Sequence, residues 1–249
     1  GLAAEGGATA LRNVTFVACP ALGAAAAGAG GGSVGSRRVL AGGCAFNGCT
    51  ASLEGGAIAT QGELSLSQCS IDLCAATGAA SEGGGICCSG GVMTLDTTRL
   101  SNCSAIDGAA LMMAGDGDAT LTDCELVNAV AAGAVSAARP VQVDGEAVLT
   151  MRRGSMRDSD VGVQMFVWVY GQLYCHGVTL ARLKTVFSPL DVRGGSTFLL
   201  DEGSVIEECE GNQCALRCMA ASVATLRDVR VSRCRVVDPS SMSAAAVTA

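Results

Sequence analysis

The sequence predicts an all-β fold, a parallel β-helix in which each turn of the chain stacks on the one before. Three observations carry that reading. A pattern of spaced apolar residues, often closing on cysteine, recurs nine times. A glycine-rich element typified by GGAI recurs between the copies. Apolar residues alternate with period 2, broken by two-residue steps, as short strands joined by corners would require.

The first pattern reads LRNVTFVAC at 11–19, LSQCSIDLC at 66–74, LDTTRLSNC at 95–103, LTDCELVNA at 121–129 and LRDVRVSRC at 226–234. Looser copies begin at Leu40, Leu149, Leu173 and Leu200. The closing positions 19, 49, 74, 103, 129, 159, 183, 209 and 234 recur about every 27 residues, which predicts about nine coils. In "ELSLSQCSIDLC", Leu64, Leu66, Cys69, Ile71 and Cys74 share one face if each two-residue step is a corner.

The second element is GGAI at 55–58, echoed by GGGI at 83–86, DGAAL at 107–111, AGAV at 132–135 and VGVQM at 161–165. A glycine then precedes each following apolar run, at Gly62, Gly91, Gly117, Gly145, Gly171 and Gly195. Glycine supplies the conformations that corners need. A leucine-rich repeat fits the first pattern but needs a helical return segment, which GGAI and a second alternating strand do not provide. One β-helix domain spanning 1–249 is expected.

Composition agrees with a thin core. Only 3% of the 249 residues are aromatic, while 34 are glycine, and small side chains fill only a narrow space. The chain has no apolar run of 18 residues, so no membrane-spanning helix is expected. A net charge of −7 gives no basic footprint for nucleic acid. Fourteen cysteines and two glycosylation sequons, at Asn13 and Asn102, favour an extracellular or cell-surface setting. With no initiator Met and no signal peptide, the chain reads as a mature protein or a segment of a longer one.

The pairing of Phe46, the F of an F-x-x-N-like element, with Gly55, Gly56, Ala57 and Ile58 resembles the repeats of chlamydial polymorphic membrane proteins. Similar repeats occur in large surface proteins of algae and protists. The resemblance implies a right-handed, pectin-lyase-like β-helix used in adhesion or surface architecture. It covers nearly the whole chain, strongly over residues 40–135 and weakly after 146. Cys49, Cys74, Cys103, Cys209 and Cys234 stand where that family usually has Asn, which replaces an asparagine ladder with a cysteine ladder.

Equivalent positions in successive coils lie about 4.8 Å apart, within the Cα range of a disulfide. Cys19/Cys49, Cys49/Cys74, Cys74/Cys103, Cys44/Cys69 and Cys209/Cys234 are therefore candidate bridges; the alternative is a stack of buried thiols acting as small hydrophobes. Cys87 and Cys88 should point to opposite faces of one strand. No catalytic thiol is expected, since His176 is the only imidazole, and His176 itself reads as structural. No metal site and no cofactor are expected.

In "MRRGSMRDSD", 151–160, a polysaccharide-cleaving reading would pair Asp158 with Asp160 and orient substrate with Arg153 or Arg157. The repeat register favours a different account. Asp158, Arg182, Glu208 and Arg233 share one corner position in successive coils, giving an alternating ladder worth about 0.2–1 kcal/mol per contact. Asp96, Asp123, Asp201 and Asp228 fall at or near the first corner, where Asp suits turns. No carboxylate cluster on neighbouring coils inside one groove is expected.

Four of the chain's eight aromatic residues lie in 161–175: Phe166, Trp168, Tyr170 and Tyr174. Val163, Met165, Val167 and Val169 share the inward parity of Leu173, so Phe166, Trp168 and Tyr170 should face out as a contact stripe. A one-residue slip of register would bury the rings instead.

The function expected is a non-catalytic structural or adhesive scaffold in an extracellular or cell-surface assembly, possibly filamentous. Its partners would be protein subunits or further coils stacked on the ends, with glycans as a further class. The alternative is a carbohydrate-active enzyme, a polysaccharide lyase or hydrolase, or a carbohydrate-binding module on the same fold. Ice binding would need recurring Thr arrays, and none recurs.

Overall fold

A computed structural model describes residues 2–3, 8–19, 33–34, 38–78, 80–131, 139–159, 167–185, 188–211, 216–219, 221–236 and 247–248. The described chain is all-β and forms a parallel β-solenoid with about 26 residues per turn. Three long sheets run its length, with ten, nine and nine strands, here called A, B and C. Each long sheet joins strands one coil apart, as in Leu64↔Met93 and Ile71↔Leu100. The nine strands of sheets B and C match the nine repeats counted in the sequence.

One coil illustrates the rest. Strand Glu63–Ser67 of sheet B turns a corner into Ser70–Asp72 of sheet C, and a second corner leads to the short strand Ala75–Ala76. The chain then returns through Ile86–Cys88 of sheet A. Inward positions form unbroken columns. Leu64, Met93, Ala119, Leu149, Leu173 and Phe198 line sheet B, and Phe46, Ile71, Leu100, Leu126, Met156, Leu180 and Ile206 line sheet C, all buried. Phe16 and Phe46 stack with ring centroids 4.9 Å apart and planes 8° from parallel. One column thus has one side-chain environment, so period and burial repeat together.

The corners depart in part from the sequence expectation. Both corners that bracket sheet C use mainly non-glycine residues in the left-handed region. Gln68, Thr97, Asp123 and Arg153 have φ of 48 to 53° at the first, and Leu73, Asn102, Asp158, Arg182, Glu208 and Arg233 have φ of 52 to 59° at the second. Such a residue costs about 1–2 kcal/mol. The cost is offset because each corner N–H is bonded to the next coil, as in Gln68 N to Asp96 O (2.9 Å) and Leu73 N to Ser101 O (3.1 Å).

Glycine is required where the chain enters sheet A. Gly55 and Gly83 have φ of +59 and +61°, and a Cβ on Gly83 would lie 2.5 Å from the Ile86 carbonyl oxygen and 2.6 Å from Cys87 Cβ. The entering chain therefore runs close over the outer side of the strand it is about to form. This is why the outward positions Ala59, Cys87 and Met112 are buried; Gln142 and Asp191 in the same row are buried too.

Candidate functional site

The second corner carries the expected ladder. Arg182 bonds Asp158 through Nε and through Nη2 to Oδ2 (3.0 Å). It also approaches Glu208 at 3.8 Å, and Arg233 reaches Glu208 at 3.1 Å. A parallel row joins Lys184 and Arg235 to Glu210, at 4.0 and 2.8 Å. Hydrogen bonds from Arg182 foremost, and from Arg157, hold the Asp158 carboxyl down to about 2. A carboxylate so engaged has the wrong protonation state for a general acid. Asp160, its suggested partner, lies outside the described residues. Arg153 is committed to Asp123 through two bonds of 3.0 and 2.9 Å.

Nine of the described cysteines fall into two corner columns. Cys19, Cys49, Cys74 and Cys103 occupy the second corner of consecutive coils, and Cys209 and Cys234 share it further on, as the main-chain bonds Thr50 N to Cys19 O, Ala75 N to Cys49 O and Arg235 N to Cys209 O show. Cys44 and Cys69 occupy the first corner, followed by Thr98 and Cys124. All described cysteines are free thiols, so the expected neighbours are neighbours but are not bridged. Their thiols instead donate to the carbonyl two residues back, as in Cys74 to Asp72 O (3.3 Å) and Cys69 to Ser67 O (3.3 Å). Burial pushes Cys103 and Cys175 up to about 12. Cys234 is the exception: a hydrogen bond from Cys209 lowers it and raises Cys209. Cys87 and Cys88 do face opposite ways, since Cys88 joins the core beside Met113 while Cys87 pairs with outward Ala59 and Met112.

The register brings carboxylates of neighbouring coils together at a place the sequence reading did not single out. Glu54, Glu82 and Asp107 pair in successive coils just before the glycine that enters sheet A, and Arg139 follows them. Arg139 bonds Asp107 at 2.6 Å and Gln142 at 3.0 Å, and Gln142 bonds Asp144 at 3.2 Å. Burial, and then the charges of Glu54, Asp107 and Asp144, raise the Glu82 carboxyl. Burial raises Asp107 as well, against the opposing pull of Arg139. The signal was present in the sequence as an acid before three of the motif glycines, in EGGAI, EGGGI and DGAAL. Further along the same face, fully buried Asp191 is gripped by Arg193 (2.6 Å) and Arg217 (2.7 Å).

Phe166 lies outside the described residues. Trp168 occupies strand Val167–Val169, in register with Gln142 and Asp191, whereas Val167 and Val169 are in register with the buried rows of Val141 and Leu190, and Val143 and Val192. Gln142 and Asp191, the row neighbours of Trp168, are buried. Tyr170 is exposed. Tyr174 lies on sheet B and donates its hydroxyl to Gln172 at 2.6 Å, so it does not share the face of Trp168.

Of the two sequons, Asn13 is exposed, while half-buried Asn102 donates its amide to Asp72 (2.7 Å) and accepts from Asn128 (2.6 Å). This short Asx ladder competes with a glycan at Asn102. His176, expected to be structural, ends its sheet B strand with Nδ1 2.6 Å from Asp201 Oδ1. No helix among the described residues is long and apolar enough to cross a membrane.

Comparison with protein-family models, with curated proteins and with solved structures found no match to this chain.

Proposed function

We propose that the chain is a non-catalytic scaffold or adhesive module of an extracellular or cell-surface assembly, built as a β-helix of the kind its FxxN-like and GGAI elements resemble. One observation carries the reading: among the described residues, the apolar rows of the outermost coils are only partly buried. Leu11, Val14, Phe16 and Cys19 at one end, and Ala224, Leu226, Val229, Val231 and Cys234 at the other, are only partly buried. Such rows are completed by further coils of the chain or by a neighbouring subunit. The charged ladders support the same reading, because their side chains are spent on adjacent coils. In an oxidising compartment the stacked thiols, Cys209 and Cys234 among them, would become inter-coil bridges. Sedimentation of the purified chain over a range of concentrations tests the idea. Association through the ends is expected, and a monomer at all concentrations would count against it.

A second reading, a carbohydrate-active enzyme, is favoured by the Glu54, Glu82 and Asp107 column, whose raised Glu82 suits a general acid. Cleavage of acidic or neutral polysaccharides by the purified protein, abolished by Glu82→Gln, would replace the scaffold with this reading.

A further inference from the structure

The first corner of the coil closed by Cys209 is one residue longer than the first corners of the coils before it. In those coils two residues join the sheet B strand to the sheet C strand, as Arg153 and Gly154 or Gly177 and Val178 do. Here three do, because Asp201 pairs with His176 and Val205 pairs with Thr179, leaving Glu202, Gly203 and Ser204 between them. Glu202 and Gly203 both take left-handed φ, +56 and +74°. The extra residue swings Glu202 back toward the preceding coil, where its Oε1 lies 3.8 Å from His176 Nδ1. One donor atom from each of His176, Asp201 and Glu202 lies within 4.8 Å of the other two.

We propose that these three residues form a binding site for a divalent cation of the zinc class, a proposal independent of the scaffold reading. The donor set is one imidazole nitrogen and two carboxylate oxygens, which suits Zn2+ and not the all-oxygen ions Ca2+ and Mg2+. Zinc bonds of about 2.0–2.2 Å in a tetrahedron set donors about 3.3 Å apart. The present separations, 2.6 Å for His176 to Asp201 and 3.8 Å for His176 to Glu202, bracket that value. The site has a floor and an open side: the His176 and Asp201 side chains are 15% and 19% exposed and Glu202 is 63% exposed. Three protein ligands leave the fourth, outward position to water.

The two carboxylates are also unusual in what they lack. Many acids on this surface are paired with an arginine one coil away, yet among the described residues neither Asp201 nor Glu202 forms an ion pair with Lys or Arg. Arg153, one coil before His176, is bonded to Asp123 and feels Glu202 only through its charge. Cys175 points into the core and is buried, so it does not compete as a ligand.

The test uses the full chain, reduced, with Zn2+ alone. His176 is the only histidine, so its two imidazole carbon-bound protons report on the site without assignment. Stoichiometric Zn2+ is expected to shift both signals, while Ca2+ at the same concentration leaves them in place. The fourteen cysteines can also take up metal, so Co2+ serves as the second probe. Ligation by nitrogen and oxygen gives visible d–d bands without thiolate charge transfer. Those bands should vanish in His176→Gln. In exposed Glu202→Gln, where folding is not at risk, affinity should fall by more than the ~10–100-fold that loss of an outer-shell partner costs. Imidazole signals unmoved by saturating Zn2+, equal shifts with Ca2+, or a Co2+ spectrum of thiolate character alone would each overturn the site.

Discussion

Arg182 reaches back one coil to close a two-bond ion pair on Asp158, with Nη2 to Oδ2 at 3.0 Å. The two residues are 24 apart in sequence yet hold the same left-handed corner position. Because the pair lowers the Asp158 carboxyl to about 2, it supplies stability above the ordinary Asp value of about 3.9. That stability is lost as pH falls from about 4 through 2. The side chain is 34% exposed, so solvent screening reduces the effect well below the full linkage value. Asp158→Asn is expected to cost about 0.5–1 kcal/mol at pH 7 and low salt. Urea titrations should show the gap from wild type shrinking toward pH 2.

Asp191 should behave very differently. It is fully buried between Arg193 and Arg217, where removing one partner of an ion cluster costs about 3–5 kcal/mol. Asp191→Ala is expected to lower the denaturation midpoint in urea by that equivalent, far more than Asp158→Asn does. A loss under about 1 kcal/mol would mean water reaches this face.

Two glycines with similar backbone angles separate strain from crowding. A Cβ on Gly195, at φ +77°, would stand in open space with nothing within 4 Å, while one on Gly83, at +61°, would meet Cys87 and the Ile86 carbonyl. Gly195→Ala should cost only the left-handed penalty, about 1–2 kcal/mol. Gly83→Ala should add an overpacking cost of about 1–3 kcal/mol. Thermal denaturation of both variants checks the difference.

Thiol reactivity should be ordered along the solenoid. Cys234 is half-buried and its thiolate is stabilised by Cys209, whereas burial holds Cys103 and Cys175 near 12. Brief alkylation of the native reduced protein at pH 7 is expected to label Cys234 well before Cys103 or Cys175. Cys209→Ala should slow the labelling of Cys234. Equal labelling of all three would show that this hydrogen bond does not govern reactivity.

The solenoid was legible because its determinants repeat. Leu64, Met93 and Leu149 fall in one column for the same reason, and the alternating signs of Asp158, Arg182, Glu208 and Arg233 follow once the period is known. Features that depend on a single coil were not legible. Glu202 meets His176 only through a one-residue insertion, which a repeat count averages away. The row of Glu54, Glu82 and Asp107 was written in the sequence, before the glycines of GGAI, GGGI and GAAL, but shows as a row only once those elements are aligned coil on coil. Non-glycine corners at Gln68, Leu73 and Arg182 were missed because main-chain bonds to the next coil offset a strain that a single sequence registers only as an unfavourable residue.

The parallel ladders also set how such a module bears load. Hydrogen bonds between coils run along the solenoid axis, so an axial pull divides among every bond joining two coils, from Leu64↔Met93 in sheet B to Ile71↔Leu100 in sheet C. A pull on a chain end meets those bonds one after another and peels them. The same chain is therefore a stiff strut when gripped across a whole coil and a soft thread when drawn from its end. Under axial tension it should part first where the ladder is interrupted, between Asp107↔Arg139 and Leu111↔Val141.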